Sequence, residues 1–147
     1  MSGAGAAGLT TSRTEGTGSH LHAHLAVIVD GEAVTVPAGI GVDRSRGAFA
    51  ELHTHDDSGL LHLQSSTQNK RYILAQLFRV WQVRLDETGV GGLDDENGKI
   101  LRAYVDGREV VGNPAGIELM PRQQIALVYG PADVTVRPPM YTFAPGD

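Results

Sequence analysis

The chain has 147 residues, of which 41% are hydrophobic and 20% are charged, so its size and composition are typical of one soluble globular domain. A net charge of −5, with twelve scattered Lys and Arg residues, excludes a phosphate-tracking basic patch and predicts no nucleic-acid partner. The absence of cysteine excludes disulfides, thiolate metal sites and thiol nucleophiles.

The N-terminal segment is rich in small and polar residues. We expect residues 1–18 to form a disordered tail, because so few apolar side chains cannot offset the entropy cost of ordering. The segment has neither a basic leader nor a continuous apolar run, and no later stretch is apolar enough to cross a bilayer. We therefore expect no membrane partner and a cytoplasmic location.

Three hairpins are predicted from turn residues between alternating apolar positions. Two of them, VDGEAVTVPAGI (29–40) and VDGREVVGNPAGI (105–117), share a Val-Asp-Gly turn and a later Pro-Ala-Gly-Ile. Either an ancient duplication or independent use of the same turn explains this repeat. The third hairpin, ELHTHDDSGLLHLQS, is predicted to turn at residues 56–59.

One helix is predicted in NKRYILAQLFRVWQ (69–82). Its apolar stripe contains two neighbouring rows, Ile73, Leu77 and Trp81 in one and Leu74 and Phe78 in the other. Residues 86–99 are acidic and glycine-rich and predict a loop, residues 124–129 predict a strand, and the prolines after Val136 limit that segment to an edge strand or tail. We expect an α+β domain at residues 19–137, with its mixed sheet packed on one main helix, followed by a C-terminal tail at 138–147.

All six histidines lie in two of the predicted strand segments. Alternate residues of a strand share a face, so His20, His22 and His24 point one way and Leu21, Ala23 and Leu25 the other. His53 and His55 follow the same rule, with Leu52 directed to the core. The strands on either side of the turn at residues 56–59 form the third hairpin. If this turn holds an even number of residues, each pair of residues whose numbers add up to 115 is directly opposed, so His53 opposes His62. A three-residue turn places His62 on the other face.

This clustering predicts a metal site. Imidazole is a good ligand for zinc, copper and iron, and an H-x-H on a strand holds two rings at a spacing that one ion can bridge. We expect one divalent transition-metal ion, Cu, Zn or Fe, with ligands drawn from His22, His24, His53, His55, His62 and His20. The last two are the weakest members, because His62 depends on the turn and His20 borders the tail. A histidine pH switch without metal is the rival interpretation.

Two carboxylates accompany the predicted metal site. Glu51 lies on the same predicted face as His53 and is a candidate general base. Asp56 is the second candidate catalytic carboxylate, and Asp56 or Asp57 is a candidate ligand, or an acceptor that orients an imidazole N–H. Three imidazole ligands leave a coordination position open to water or substrate, which is the arrangement of catalytic rather than structural sites.

Two resemblances accompany these residues. RAYVDGREVVGNPAGIELMPRQQIALVYG (102–130) resembles the end of ubiquitin-like β-grasp domains, which include modules related to cobalamin-transport proteins. This implies a β-grasp-like sheet with an extra hairpin. HLHAHLAVIVDG with LHTHDDSGLLH is similar to a family of small, uncharacterised His-rich bacterial and archaeal proteins, from which no function can be transferred.

Two function classes fit the sequence. In the first, the protein is a small metalloenzyme acting on a small-molecule substrate; in the second, it is a non-catalytic module that carries or sequesters divalent copper or zinc. Cuprous carriage is disfavoured because Cys is absent and the three Met residues are far from the histidines in sequence. The exposed histidine face is also a candidate interface for a homo-oligomer.

Overall fold

A computed structural model describes residues 11–12, 19–43, 48–65, 71–134 and 136–145. The elements of this part of the chain, in order, are β1 (Thr11–Ser12), β2 (Ser19–Val29), β3 (Glu32–Val34), β4 (Val42–Asp43), β5 (Ala48–Ala50), β6 (Leu52–His53), β7 (Leu60–Ser65), α1 (Leu74–Trp81), β8 (Leu85–Asp86), β9 (Gly89–Val90), β10 (Leu93–Asp94), β11 (Lys99–Val105), β12 (Arg108–Val110), the 3₁₀ turn η1 (Pro114–Gly116) and β13 (Gln123–Pro131). The described residues form one mixed main sheet, two small three-stranded sheets and one α-helix, which fits the α+β class.

The main sheet has the strand order β12–β11–β13–β2–β7–β6, and β3 pairs with the end of β2. Its two central strands, β2 and β13, run parallel, and the other neighbours are antiparallel. Both Val-Asp-Gly segments form the predicted tight hairpins. Asp30 and Gly31 have φ of 50° and 84°, and Asp106 and Gly107 have φ of 51° and 84°. Positive φ at both central residues matches the right-handed twist of the strands that such a turn joins.

The helix is shorter than the predicted span of 69–82. Its buried residues are Leu74, Leu77 and Phe78, and Trp81 is half-buried with its ring 5.3 Å from that of Phe78. Ile73 was predicted to lie on the apolar stripe, but it is the N-cap and is 38% exposed. A left-handed conformation at Gln82 ends the helix. Residues 69–70 of the predicted helix lie outside the described residues.

The main core lies between the helix and one face of the sheet. Odd-numbered residues of β2 and β13 supply this face, among them Leu25, Val27, Ile125 and Leu127, which are all buried. On the opposite face Tyr104, Ala126 and Val128 form a smaller cluster, against which Ala26, Ile28 and Val136 pack. The histidines of β2 are on this second face, because they occupy even-numbered positions.

The C-terminal segment packs along the second face, although residues 138–147 were predicted to be a tail. The Tyr141 amide donates a hydrogen bond to Gln124 Oε1 at 2.6 Å, and the Arg102 guanidinium donates to the carbonyls of Ala132 and Val134. Residues 86–99, predicted as a loop, instead contribute most of the three-stranded sheet β8–β9–β10. Of the two alternatives predicted for this segment, an edge strand or a tail, the edge strand is not seen at Val134 or Val136.

The predicted N-terminal tail falls largely outside the described residues. Its described part, Thr11–Ser12, pairs with Phe49 and Ala50 of β5. Among the helices of the described part of the chain, none is long and apolar enough to span a membrane.

Candidate metal centre

Three adjacent strands bring histidines together on the sheet face that points away from the helix. His22 of β2 is directly opposite His62 of β7, and His62 is directly opposite His53 of β6. The predicted register, in which positions sum to 115, is therefore confirmed. Directly opposed residues share a face, so the three rings lie in one row across the sheet.

The turn that sets this register is held by its own polar residues. Asp56 Oδ1 accepts hydrogen bonds from the Ser58 amide at 3.1 Å and from the Ser58 hydroxyl at 2.5 Å. Gly59 has φ of 86°, and a Cβ there would lie 2.3 Å from the Leu25 carbonyl oxygen and 2.9 Å from His24 Nε2. Only glycine fits this conformation and this close approach, so Gly59 fixes where β7 begins.

His53 is the anchored member of the cluster. Its side chain is 0% exposed, and its Nδ1 lies 2.8 Å from the Ala50 carbonyl oxygen. A carbonyl oxygen only accepts, so Nδ1 carries the proton and Nε2 of the neutral ring keeps its lone pair. Gly41 allows this packing, because a Cβ there would lie 2.4 Å from the Leu52 carbonyl oxygen and 3.1 Å from His53 Cβ.

His55 and His62 complete a group of three. One ligand nitrogen from each of His53, His55 and His62 lies within 4.8 Å of the other two. The Nε2 atoms of His53 and His55 are 3.2 Å apart. Two nitrogens bound to one zinc ion in tetrahedral geometry are about 3.3 Å apart, given bonds of about 2.0–2.1 Å. The His53–His55 pair already has this spacing, and the His62 nitrogen, within 4.8 Å of both, reaches it by a shift of no more than about 1.5 Å.

The environment of the cluster is graded from core to solvent. His53 is buried, His62 is half-buried and His55 is exposed. The rings of His55 and His62 are nearly perpendicular, with centroids 4.5 Å apart, and those of His53 and His62 are nearly parallel at 5.6 Å. An ion bound to these three rings has protein on its His53 side and solvent on its His55 side.

Two further described histidines, His22 and His24, lie outside this group. His22 is buried beside His62, with ring centroids 4.6 Å apart and planes at 85°, so it packs against the cluster without joining it. His24 directs its Nε2 to the Ser58 carbonyl oxygen at 2.6 Å and stacks on Tyr141 at 4.0 Å. Burial lowers the pKa of His24, and the hydrogen bond to Ser58 opposes part of this effect. His20 of β2 is opposite Gln64 of β7, and the side chain of His20 lies outside the described part of the chain.

The two predicted carboxylates are held by different partners. The buried Glu51 carboxylate accepts a hydrogen bond from the Tyr72 hydroxyl, and Tyr72 is packed in the main core. Asp56 is exposed, and its hydrogen bonds from Ser58 lower the pKa of its carboxyl, with a smaller effect from the nearby His62 and His55. Asp56 therefore stays anionic beside the histidines. Neither carboxylate is within the three-residue group.

Sequence reasoning missed three contributors to this site. The Ala50 carbonyl orients His53, the Tyr72 hydroxyl binds Glu51, and Tyr141 covers His24. The first is a backbone atom with no sequence signal, and Tyr141 lies in a segment that was predicted to be a tail. Comparison with protein-family models, with curated proteins and with solved structures finds no match for this chain.

Proposed function

We propose that this protein binds one divalent transition-metal ion, Cu, Zn or Fe, through His53, His55 and His62. The observation that carries the proposal is the convergence of three imidazole nitrogens within 4.8 Å, two of them 3.2 Å apart. A histidine on the protein surface does not require other histidines beside it. Three imidazole nitrogens that converge on one point can together bind one metal cation.

The orientation of His53 supports the same proposal. Metal-bound histidines commonly donate their second ring N–H to a carbonyl or carboxylate, which fixes the tautomer and the ring plane. His53 makes this bond to the Ala50 carbonyl and presents Nε2 to His55. Asp56 adds a negative charge close to the ion without occupying the ligand group.

The proposed activity is that of a small metalloenzyme with a small-molecule substrate. A metal ion with three neutral protein ligands keeps an open position and its full charge, and so supplies Lewis-acid or redox chemistry. Glu51 is two residues from His53 and Asp56 is next to His55, and we assign these two carboxylates the candidate proton-transfer roles. Asp56 faces solvent beside the cluster, whereas Glu51 is held by Tyr72.

A second candidate function is carriage or sequestration of divalent copper or zinc without catalysis. The exposure of His55 favours it, because a ligand in contact with solvent allows an ion to enter and leave. The two functions differ in exchange rate. A carrier releases its ion to a competing chelator within seconds to minutes, and an enzyme retains it through turnover.

We also propose that the fold is a β-grasp. A hairpin, a helix and a second hairpin precede a last strand that runs parallel to the first in the centre of the sheet, giving the order β3–β2–β13–β11–β12. This is the connectivity of β-grasp domains. Strands β6 and β7, inserted before the helix, extend the sheet beyond β2 and carry three of the six histidines with their connecting turn.

Metal titration of the protein, purified without a His-tag and stripped by chelator, tests the function. We expect one equivalent of zinc or divalent copper to bind, and the His53→Ala, His55→Ala double variant to bind none. His24→Ala, which removes a histidine outside the group, retains one equivalent. Unchanged stoichiometry in the double variant, or no binding by the native chain to zinc, copper or iron, contradicts the proposal.

A further inference from the structure

A cavity lies between the second face of the sheet and the C-terminal segment. It measures about 340 Å³. Its floor is formed by Ile28 of β2, Val128 of β13 and Ile100 of β11, and its cover by Val134 and Val136. Pockets that bind small molecules have volumes of about 300–1,000 Å³ and are mostly apolar with a few polar groups.

The strand register places four of the lining residues side by side on the sheet. Ile28 is opposite Val128, and Ile100 is opposite Gly130. Gly130 contributes no side chain at this point, although a Cβ there would meet no atom closer than 3.8 Å. The three atoms nearest to that Cβ all belong to Asp30, at ordinary contact distance, so packing does not require glycine at this position.

Two arginines also line the cavity. Arg102 of β11 is opposite Val128 of β13. Its guanidinium donates hydrogen bonds to the Ala132 and Val134 carbonyls and so holds the covering segment in place. Arg137 is exposed on that segment. No carboxylate of the described residues lies within ion-pairing distance of either guanidinium. Two positive groups beside apolar walls form a site that an anion complements, since guanidinium binds carboxylate with charge-assisted hydrogen bonds.

We propose that this cavity binds a small amphipathic carboxylate, with its apolar body on Ile28 and Val128 and its carboxylate at Arg137 and Arg102. At about 30 Å³ for each water-sized group, the volume accommodates about ten non-hydrogen atoms. Ile28 is six residues from His22 along β2, a distance of about 20 Å. The site is therefore separate from the histidine cluster, and its test does not depend on the metal.

Octanoate, which has ten non-hydrogen atoms, is the probe, and octan-1-ol and butyrate are its controls. Calorimetry on the metal-stripped chain is expected to show one octanoate site, with octan-1-ol at least tenfold weaker and butyrate not binding. Methyl NMR signals of Ile28, Val128, Val134 and Val136 are expected to shift on addition of octanoate, and those of the main core to stay in place.

Three variants separate the contributions. Arg137→Gln is expected to weaken octanoate binding at least fivefold, because it removes an exposed charge without disturbing packing. Arg108→Gln removes the same charge from β12, outside the cavity, and leaves the affinity unchanged. Gly130→Val fills the cavity in a strand that accepts β-branched residues, so it is expected to fold and to lose binding. Absence of octanoate binding, equal affinity for octan-1-ol, equal effects of the two arginine variants, or retained binding by Gly130→Val overturns the proposal.

Discussion

His53 and His55 are predicted to have equal effects on metal binding but very different effects on stability. His53→Ala removes a fully buried ring and leaves the Ala50 carbonyl without its donor. We expect a loss of about 3–5 kcal/mol in the free energy of unfolding, from the cavity and the unsatisfied acceptor together. His55 is exposed, so His55→Ala is expected to change this free energy by less than about 0.5 kcal/mol.

The metal response is predicted to disappear in both variants. A ligand at 100 times its dissociation constant stabilises the folded state by about 2.7 kcal/mol. For a chain of this length that gain raises the melting temperature by about 5–10 °C. Each variant lacks one of three nitrogen ligands, and neither should show this rise.

Urea unfolding with and without zinc, followed by circular dichroism, measures the free energy of unfolding and its gain on zinc binding, and thermal unfolding measures the rise in melting temperature. The m-value checks that the two variants unfold the same structure. His24→Ala is the control for removal of a histidine on the same face, and it should keep the zinc-dependent gain. A zinc-dependent gain that persists in His55→Ala would place the ligands elsewhere. A cost below about 1 kcal/mol for His53→Ala would refute the argument from burial.

Three further predictions concern the surroundings of the cluster. Gly59→Ala should lower the free energy of unfolding in urea by about 2 kcal/mol or more, because the new Cβ meets the Leu25 carbonyl at positive φ. Gly92→Ala, where the new Cβ meets open space, should lower it by less than about 0.5 kcal/mol. Equal losses in the two variants would contradict this prediction. Burial lowers the pKa of His24 below its usual 6.5, so the folded state binds this proton less readily than the unfolded state. The contribution of neutral His24 to stability is then complete above about pH 6.5 and is lost as pH falls through the folded pKa. In chelator-treated protein, His24→Gln should therefore make the free energy of unfolding depend less steeply on pH between about pH 7 and 5. Equal pH dependence in the native chain and the variant would contradict this prediction. Tyr72→Phe should cost about 1–3 kcal/mol, because the buried Glu51 carboxylate loses a donor, and an unchanged urea midpoint would show that this bond is not stabilising.

Local sequence determined the faces of the histidine-bearing strands and the Asp-Gly turns, but not the short strands β8, β9 and β10. Alternation of Leu21, Ala23 and Leu25 with His20, His22 and His24 assigns the histidines to one side, since successive side chains of a strand point to opposite faces. The Asp-Gly turns follow from the positive φ that such residues tolerate. The register of His53 with His62 follows from an even-numbered turn, which the pattern allowed but did not require.

Only the tertiary structure decided which histidines meet. All six belong to similar local patterns, but Ser58 and Tyr141 engage His24, and the Ala50 carbonyl turns His53 toward His55. Tyr141 is far from His24 in sequence, and Ala50 acts through a backbone atom, so neither partner has a periodic signal. Side-chain orientation depends on such contacts, because several rotamers satisfy the same strand pattern. The sequence therefore predicted a histidine face, and packing brings three of the described histidines into one cluster.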